Sequence, residues 1–340
     1  MIWPWHTKCM VTSVNERQQL METINILCAT DNNYAPYCGI MLTSLFESNK
    51  DCHFVVYVFE DGSVTEENVS KYQRLAKKYG NDVVLKTIDE SMVKGFPTGW
   101  VTLPTYYRLL APEVLQESIS KIIYFDVDII VKGDIKPLWK VNLDGMAIAG
   151  SRRASNWRDI SFSERLGYNS FDEYFNAGVL VINLDFWRAN DISKALLDYI
   201  RLNIGNKSKL LYMDQDALNV VLHDKKVFFP ERYNFRPSIF MKNYWIDFPE
   251  DQLRHYIVEC KSSAVIHYTG EKPWNYRSYG GPFFSEWEKH RRKSLWRDCR
   301  NIKPLKKHVK HMVKRYLFPD MFRRQHNGWV VSPDTQQFYK

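Results

Sequence analysis

The sequence predicts an α/β protein built around a central, mainly parallel β-sheet. Short apolar runs alternate with segments of helical apolar spacing, and polar turns such as "DNNY" and "EDGS" separate them. This alternation is typical of a parallel sheet covered by helices. The composition, 45% hydrophobic and 25% charged, is that of an ordinary globular protein. We expect one such domain over residues 21–284, an N-terminal extension at 1–20 and a basic amphipathic helical tail at 285–340.

The first part of the chain contains three strands and two helices. Each predicted strand is a short apolar run followed by a polar turn, and these strands lie at 24–30, 54–59 and 83–88. Apolar spacing predicts a helix at 35–48. A second helix is predicted at 65–79, because Thr65 is followed by two acidic residues that suit a helix N-terminus.

The second part continues the alternation. A short helix is expected in "LPTYYRLLAPEVL", with Pro104 near its start. Asp214 is a plausible cap for a helix that begins in "MDQDALNVV", and another helix is predicted at about 186–202. Further strands are expected at 121–125, 147–150, 178–184 and 264–267.

Positive charge is concentrated near the C-terminus. The chain carries a net +8, but residues 289–324 hold 14 Lys and Arg against Asp298 and Asp320, so this segment is +12 and the rest is −4. Apolar residues recur there at helical spacing, and Trp287 and Trp296 add bulk suited to an interface. The pattern predicts a basic amphipathic helix on an anionic membrane surface. A tail helix that packs on the body and exposes its charged face would give the same pattern.

The sequence also indicates where the protein resides. No run approaches 18 apolar residues, and the N-terminus lacks the features of a secretory leader. The six cysteines include no C-x-x-C pair and suit reduced thiols. We therefore expect a cytoplasmic protein, peripheral on the inner face of the plasma membrane.

Two carboxylates interrupt an apolar run in "YFDVDIIV". Asp126 and Asp128 stand two residues apart, and such residues of a strand share one face, so their charges repel. A metal ion, a shared proton or exposure at the strand end could relieve this repulsion. A divalent metal is favoured, because Mg²⁺ and Mn²⁺ pair carboxylates with substrate phosphates.

The predicted topology brings other polar residues to the same place. Asp31 follows the first strand and His267 ends the last one. Since ligands of open parallel sheets bind outside the carboxyl ends of the strands, these residues could converge with Asp126 and Asp128 in one crevice. The chain has no P-loop, no G-x-G-x-x-G, no H-E-x-x-H and no G-x-S-x-G motif.

Six motifs, in order, make the chain similar to glycosyltransferase family 8, in the bacterial branch that builds lipopolysaccharide and related glycans. They span roughly residues 23–280 and read "ATDNNYAPY", "TYYRL", "IIYFDVDIIV", "YFNAGVLVINLDFWR", "YMDQDALN" and "IHYTGEKPW". The resemblance implies a GT-A fold, that is, one Rossmann-like domain that uses a UDP-sugar and a divalent metal, Mn²⁺ or Mg²⁺. It also implies transfer with retention of anomeric configuration.

The resemblance assigns donor-binding roles. Asp31 and Asn33 match positions that hold the uracil and ribose of UDP, and Tyr34 matches the one that stacks on uracil. Asp126, Asp128 and His267 match the three metal ligands. The positions that it places at the donor or its metal are Ala29, Asp31, Asn33, Tyr34, Arg108, Asp126, Val127, Asp128, Asn176, Ala177, His267, Gly270 and Lys272.

The resemblance assigns the catalytic positions to Asp214, Gln215 and Lys272. Asp214 would hold a hydroxyl of the sugar, and Gln215 would lie near the anomeric carbon. Lys272 would neutralise the departing UDP. An amide is a poor nucleophile, so both a covalent intermediate and front-face attack stay open.

Two departures from the family pattern leave the donor sugar open. "HYTGEKPW" has one residue fewer between Gly270 and Lys272 than the longer form of relatives, and Arg153 stands near a position where relatives often have Asp. Glucose and galactose are the leading sugars, with N-acetylhexosamine as a further option. The expected acceptor is a lipid-linked glycan.

Two other functions fit parts of the sequence. "YFDVDII" resembles the nucleophile motif of haloacid-dehalogenase phosphatases, although that motif normally closes the first strand and here follows a βαβαβ unit. The +12 tail would suit a nucleic-acid-binding protein, but no base-reading module is visible in the body, so specific nucleic-acid binding is not expected.

Overall fold

A computed structural model describes most of the body and part of the C-terminal region. The described residues are 21–99, 101–152, 165–167, 174–237, 250–270, 272–275, 283–299, 324–326, 329–332 and 337–339. The strands of the body are β1 (Thr23–Thr30), β2 (His53–Glu60), β3 (Asp82–Thr87), β4 (Lys121–Phe125), β5 (Ile129–Val131), β6 (Ile148–Arg152), β7 (Phe175–Asn183), β8 (Lys226–Phe229) and β9 (Val265–His267).

Nine α-helices lie within the described residues. They are α1 (Ala35–Ser48), α2 (Glu66–Tyr79), α3 (Ala111–Val114), α4 (Lys136–Trp139), α5 (Leu184–Ala189), α6 (Ile192–Leu202), α7 (Asp214–Val221), α8 (Glu250–Lys261) and α9 (Phe284–Lys293). Short 3₁₀ segments include Leu103–Leu110, which runs directly into α3, and Glu231–Tyr233.

Seven strands form one mixed sheet in the order β3-β2-β1-β4-β7-β6-β8. Strands β1 to β4 pair in parallel, and β8 runs parallel to β6. Strand β7 is antiparallel to both of its neighbours, β4 and β6. The predicted α/β class with a mainly parallel sheet is confirmed.

Alternate residues of β1, an interior strand of the sheet, contribute to two hydrophobic clusters. Ile24, Ile26 and Cys28 of β1 belong to the cluster that includes α1 and α2. Leu27 and Ala29 belong to the other cluster, with residues of α5, α6 and α7. Helices thus cover both faces, which explains why the strands read as nearly continuous apolar runs.

Several predicted elements differ from the structure in detail. The helix expected at 186–202 is two helices, α5 and α6, because Asp191 between them has a left-handed backbone (φ 49°). Strand β9 does not join the main sheet but pairs antiparallel with β5. Strand β8 and helix α8 were not predicted, because their short or weakly patterned sequences carry little periodic signal.

The expectation of Asp214 as a helix cap is wrong. Helix α7 begins at Asp214, and the capping position belongs to Met213, whose φ of 54° is unusual for a non-glycine residue. The Asp214 carboxylate instead faces Arg108, with Oδ2 3.2 Å from the arginine Nε.

The C-terminal region is not helical throughout. Helix α9 lies at the start of the predicted tail, but three antiparallel strands follow at β10 (Arg324–His326), β11 (Trp329–Ser332) and β12 (Gln337–Tyr339). The runs "WVVS" and "QFY" are rich in β-branched and aromatic residues, which favour strands. Residues 300–323, with most of the predicted amphipathic pattern, and the extension at 1–20 lie outside the described residues.

The two tryptophans taken as membrane-seeking are part of the core. Trp287 and Trp296 are 2% and 4% exposed and pack in the same cluster as α1. The Trp296 ring lies on Gly39, where an added Cβ would come within 2.1 Å of the indole Cζ3. Helical spacing identifies an apolar face but not its partner, and here the partner is the body.

Among the described residues, no helix has the length and apolar character required to cross a bilayer. The four cysteines whose side chains are described, at positions 28, 38, 52 and 299, are free thiols.

Candidate active site

Polar residues from four parts of the chain meet at one edge of the sheet. Asp31 follows β1 and Asp126 follows β4, and these parallel strands end at the same edge. Strand β7 runs the other way, so its first residues lie there too, and the backbone N–H of Asp126 donates to the Gly178 carbonyl (2.8 Å). Binding residues are therefore expected at this edge.

Asp126, Asp128 and His267 form a compact cluster. One potential ligand atom of each lies within 4.8 Å of the others. His267 Nε2 is 3.2 Å from Asp128 Oδ1 and 3.6 Å from Asp126 Oδ2. The antiparallel β5–β9 ribbon creates this arrangement, because it pairs Ile129, next to Asp128, with His267. The predicted convergence of these three residues is confirmed.

The cluster fits a hard divalent cation. Two carboxylates and one imidazole are suitable donors for Mn²⁺, and for Mg²⁺ where oxygen ligands dominate. Asp128 Oδ1 is buried and accepts no hydrogen bond among the described residues, so it has capacity for a cation. In a low-dielectric site such an unsatisfied oxygen is unfavourable unless a positive charge compensates it.

Lys272 places a positive charge next to the other carboxylate oxygen of Asp128. Its Nζ forms an ion pair with Asp128 Oδ2 and also donates to the Tyr268 carbonyl (3.0 Å). Burial alone would raise the pKa of Asp128, but Lys272 and His267 together hold that pKa below its ordinary value. Asp128 is therefore ionised at neutral pH and available as a ligand.

Arg108 lies buried between two carboxylates. Its Nη2 is 3.1 Å from Asp126 Oδ1 and its Nε is 3.2 Å from Asp214 Oδ2. The guanidinium also donates to the carbonyls of Thr105 and Ala177 and stacks on the Tyr124 ring at 4.1 Å. Burial opposes its charge, but Asp214, Tyr124 and Asp126 outweigh burial and raise its pKa, so Arg108 stays charged.

Asp214 is buried with incomplete compensation. The Nε–H of Arg108 is directed at the Thr105 carbonyl (2.8 Å), so Asp214 Oδ2 has a nearby charge but no hydrogen-bond donor. Burial raises the pKa of Asp214 to about 6, and the opposing effect of Arg108 is smaller. A carboxyl group with such a pKa changes protonation close to neutral pH.

Gln215 is fixed by a network at the start of β7. Its Oε1 accepts hydrogen bonds from the Ala177 backbone N–H (3.0 Å) and from Asn176 Nδ2 (2.8 Å). Its Nε2 donates to the Tyr174 hydroxyl (2.9 Å), which in turn donates to the buried Asp216. Asp214 and Gln215 therefore extend from the first turn of α7 toward the same edge of the sheet.

The loop after β1 is linked to the segment that carries Lys272. Asp31 Oδ1 accepts the backbone N–H of Tyr34 (2.9 Å), which closes a tight turn. The Tyr34 ring meets Trp274 edge-on at 6.4 Å, and Trp274 stacks on Tyr37 at 3.9 Å. Tyr34 is partly exposed, as a stacking surface for a base would need to be.

The remaining predicted positions lie close in sequence to the residues already described. Ala29 is buried at the end of β1, and Asn33 is exposed in the following turn. Val127 is partly buried between the two aspartates. Gly270 has a φ of +83°, a conformation in which a side chain would be strained. Arg153 lies outside the described residues.

Three residues of the site were not predicted. Tyr124 donates to Asp126 Oδ1 (2.8 Å), and its position two residues before that aspartate on one strand could have indicated this contact. Asn234 bonds both His267 and Asn176. Gly178 leaves the space that His267 and Asp126 occupy. The sequence carries no periodic signal for the last two, whose neighbours come from distant elements.

A family model and individual relatives give concordant matches to this chain. The family described as "Glycosyl transferase family 8" matches residues 25–278. The chain is 26% identical to a lipopolysaccharide 1,3-galactosyltransferase of Salmonella typhimurium, over 90% of this chain and 87% of that protein. It is 27% identical to a lipopolysaccharide 1,2-glucosyltransferase of Escherichia coli, over 87% of each chain.

A solved structure shares the architecture. The galactosyltransferase LgtC, in complex with donor and acceptor sugar analogs, superposes with a TM-score of 0.67 and 25% identity, over 81% of this chain and 99% of that one. This likeness confirms the predicted GT-A fold.

Proposed function

Because the chain belongs to glycosyl transferase family 8, we propose that it transfers glucose or galactose from a UDP-sugar to a glycan. The observation that carries the proposal is the compact cluster of Asp126, Asp128 and His267 beside Lys272. The names of two relatives, which act on lipopolysaccharide, support lipopolysaccharide or another lipid-linked surface glycan as the acceptor. We assign retention of anomeric configuration from the family resemblance.

The cluster would hold Mn²⁺ or Mg²⁺ together with the diphosphate of the donor. The bound cation would supply Lewis-acid stabilisation of the leaving phosphate. Lys272 would then exchange Asp128 for a phosphate oxygen and stabilise the charge that develops on UDP. Asp31, Asn33 and Tyr34 would hold the nucleoside.

The geometry around Gln215 favours front-face transfer over a covalent intermediate on this residue. Both lone pairs of its Oε1 accept N–H groups, from Asn176 and Ala177, and are therefore not free to attack the anomeric carbon. In front-face transfer the acceptor hydroxyl gives its proton to the departing phosphate. Asp214, close to the sugar, would bind one of its hydroxyls.

We expect Mn²⁺-dependent UDP release from UDP-glucose or UDP-galactose without an acceptor. Chelation should abolish release, and the double substitution Asp126→Asn, Asp128→Asn should lower it by at least about 100-fold, because the leaving phosphate loses its counter-charge. A coupled UDP assay over a panel of nucleotide-sugars, UDP-N-acetylhexosamines included, measures this.

Asp224→Asn is a matched control for that experiment. This aspartate is exposed and pairs only with the neighbouring Lys225 among the described contacts, so UDP release should stay at the wild-type rate. Full turnover in the presence of chelator, or in the double variant, would contradict the proposed metal role.

We further propose that the basic segment 289–324 holds the enzyme on the anionic inner face of the plasma membrane. The support is its net charge of +12 in a chain that is otherwise mildly acidic. Each Lys or Arg close to such a surface contributes about 1 kcal/mol. An enzyme held there would meet a lipid-linked acceptor.

Deletion of residues 300–340 should abolish sedimentation with phosphatidylglycerol vesicles. The cut keeps Trp287 and Trp296, which belong to the core, and removes 10 Lys and Arg against Asp320 and Asp334. Full-length protein should bind these vesicles, but not phosphatidylcholine vesicles, and high salt should release it. Equal binding of the truncated and full-length chains would refute the membrane role of this segment.

A further inference from the structure

We propose that Asn234 is a positioning residue that fixes the tautomer of His267 and also donates to Asn176, the partner of Gln215. Asn234 is 1% exposed and follows the 3₁₀ turn Glu231–Tyr233. This inference rests on the proposed function, because it assumes that His267 binds a cation.

The direction of the network is set by two backbone groups of β7. The N–H of Ala177 donates to Gln215 Oε1 (3.0 Å), and the N–H of Gly178 donates to Asn176 Oδ1 (3.1 Å). A backbone N–H can only donate, so both atoms that face these groups must be amide oxygens. The Nδ2 group of Asn176 consequently donates to Gln215 Oε1, at 2.8 Å.

The same logic fixes Asn234. One end of its side chain lies 2.9 Å from Asn176 Oδ1, which accepts, so this end must be the donor Nδ2. Its Oδ1 therefore faces His267 Nδ1, also at 2.9 Å. An amide oxygen only accepts, so the His267 proton must lie on Nδ1.

This tautomer is the one that a metal ligand needs. With the proton on Nδ1, the lone pair of Nε2 is free and lies beside Asp128 and Asp126. Hydrogen bonds to the second ring nitrogen commonly orient metal-bound histidines in this way. His267 is 3% exposed, so few water molecules could replace Asn234 as the acceptor.

The backbone holds Asn234 and His267 in register. The His267 N–H donates to the carbonyl of Phe235 (2.8 Å), the residue that follows Asn234, and the Phe235 N–H donates to Val265 (3.0 Å). These bonds fix the position of Asn234 relative to β9. The backbone pairing itself therefore places the Asn234 side chain against His267.

Substitution of Asn234 should change Mn²⁺ binding in a way that depends on the new side chain. With UDP present, Asn234→Ala should weaken Mn²⁺ binding about 10–100-fold, because His267 loses the acceptor for Nδ1–H. Asn234→Asp keeps an acceptor and adds a negative charge, so its Mn²⁺ affinity should equal or exceed that of the wild type. The intensity of the electron paramagnetic resonance signal of free Mn²⁺ measures both affinities.

Asn234→Asp should nonetheless lower UDP release about 10-fold or more. A carboxylate cannot donate to Asn176 Oδ1 and would place two acceptor oxygens in contact, so Asn176 should be displaced from Gln215 while His267 keeps its orientation. Tight Mn²⁺ binding with slow release is the combination that a merely structural role of Asn234 would not produce.

Two comparisons isolate the role of Asn234. In a His267→Ala background, Asn234→Ala should have no more than about a 2-fold further effect on Mn²⁺ affinity, because the interaction that it removes is already gone. Asn49, which follows α1, is a similarly buried asparagine whose described hydrogen bonds are to backbone groups only, those of Leu45, Gly133 and Ile135. Asn49→Ala should lower the melting temperature and leave the affinity unchanged.

The outcomes separate this inference from the proposed function. If wild-type protein with UDP binds no Mn²⁺, the proposed function fails. If the wild type binds Mn²⁺ and folded Asn234→Ala binds it equally well, the role of Asn234 is overturned. Should Asn234→Ala not fold, the ¹⁵N imidazole spectrum of metal-free wild type decides, with His267 assigned by its loss in His267→Gln: an Nδ1 that carries no proton overturns the inference.

Discussion

Replacement of Gly178 by alanine is expected to abolish cation binding and sugar transfer. A Cβ at this position would lie 2.1 Å from His267 Cε1, 2.5 Å from its Nδ1 and 2.8 Å from Asp126 Oδ2. Two of the three candidate metal ligands would have to move. Since loss of an outer-shell partner alone weakens metal binding 10–100-fold, displacement of the ligands should exceed about 100-fold.

The surroundings of Gly178 leave little room for adjustment. Its carbonyl accepts the backbone N–H of Asp126 (2.8 Å), and its own N–H donates to Asn176 Oδ1 (3.1 Å), so the strand is held from both sides. His267 is buried and bonded to Asn234, so its ring cannot rotate away without loss of that contact. The strand conformation itself suits alanine, so the expected effect is steric.

Titration of Gly178→Ala with Mn²⁺ in the presence of UDP measures the effect, together with UDP release. Gly205→Ala is the control, because Gly205 has a positive φ (85°) and open space around its Cα, so this substitution strains the backbone without contact to the site. Wild-type Mn²⁺ affinity in a folded Gly178→Ala protein would mean that the cation binds elsewhere.

The metal cluster was predictable because its signal is local. Two neighbouring aspartates in an apolar run repel each other, which indicates a compensating group close by. The strand before them predicts that they lie where the parallel strands of the sheet end. The prediction placed His267 at the end of a strand of the main sheet. This residue reaches the cluster through the β5–β9 ribbon, not as an additional strand of the main sheet.

The supporting residues could not be predicted in the same way. Gly178 is required because of a histidine 89 positions away, and Asn234 contacts residues 33 and 58 positions away. Contacts over such long sequence separations leave no helical or strand periodicity in the sequence. Contacts of this kind exist only after distant elements have packed.

The C-terminal segment illustrates an ambiguity in periodicity. Apolar residues at helical spacing with basic residues opposite describe both a membrane-surface helix and a helix that packs on a domain. In α9 and the residues after it the partner is the body, as the burial of Trp287 and Trp296 against α1 shows.

Arg108→Met is expected to destabilise the fold by about 3–5 kcal/mol and to inactivate the enzyme. The substitution would leave the buried Asp214 and the partly exposed Asp126 without their shared positive charge, and loss of one partner of a buried ion pair has this order of effect. Arg108→Lys should restore little, because one ammonium cannot reach both carboxylates and the carbonyls of Thr105 and Ala177 together.

Asp214→Asn, the substitution on the other side of the pair, should have the opposite effect on stability. Burial raises the pKa of Asp214 from 3.8 to about 6 in the folded state. Between these two pH values the folded chain binds more protons than the unfolded chain, so the contribution of Asp214 to stability falls as pH rises. Above pH 6 the ionised carboxylate lowers the free energy of unfolding by up to about 3 kcal/mol. Asparagine has no charge to bury, so the variant should be more stable than wild type at pH 8.

Urea unfolding of both variants and the wild type, at pH 8 and again close to pH 4, measures these differences. The advantage of Asp214→Asn should disappear at the lower pH, where Asp214 of the folded protein is protonated. Activity should fall in both variants, because a neutral amide would bind the proposed sugar hydroxyl more weakly than a carboxylate does and because Arg108 holds that carboxylate in place. Equal stability of Arg108→Met and wild type would show that Asp214 and Arg108 do not form a buried ion pair. A stabilised but inactive Asp214→Asn would show that the fold keeps a destabilising charge because the reaction needs it.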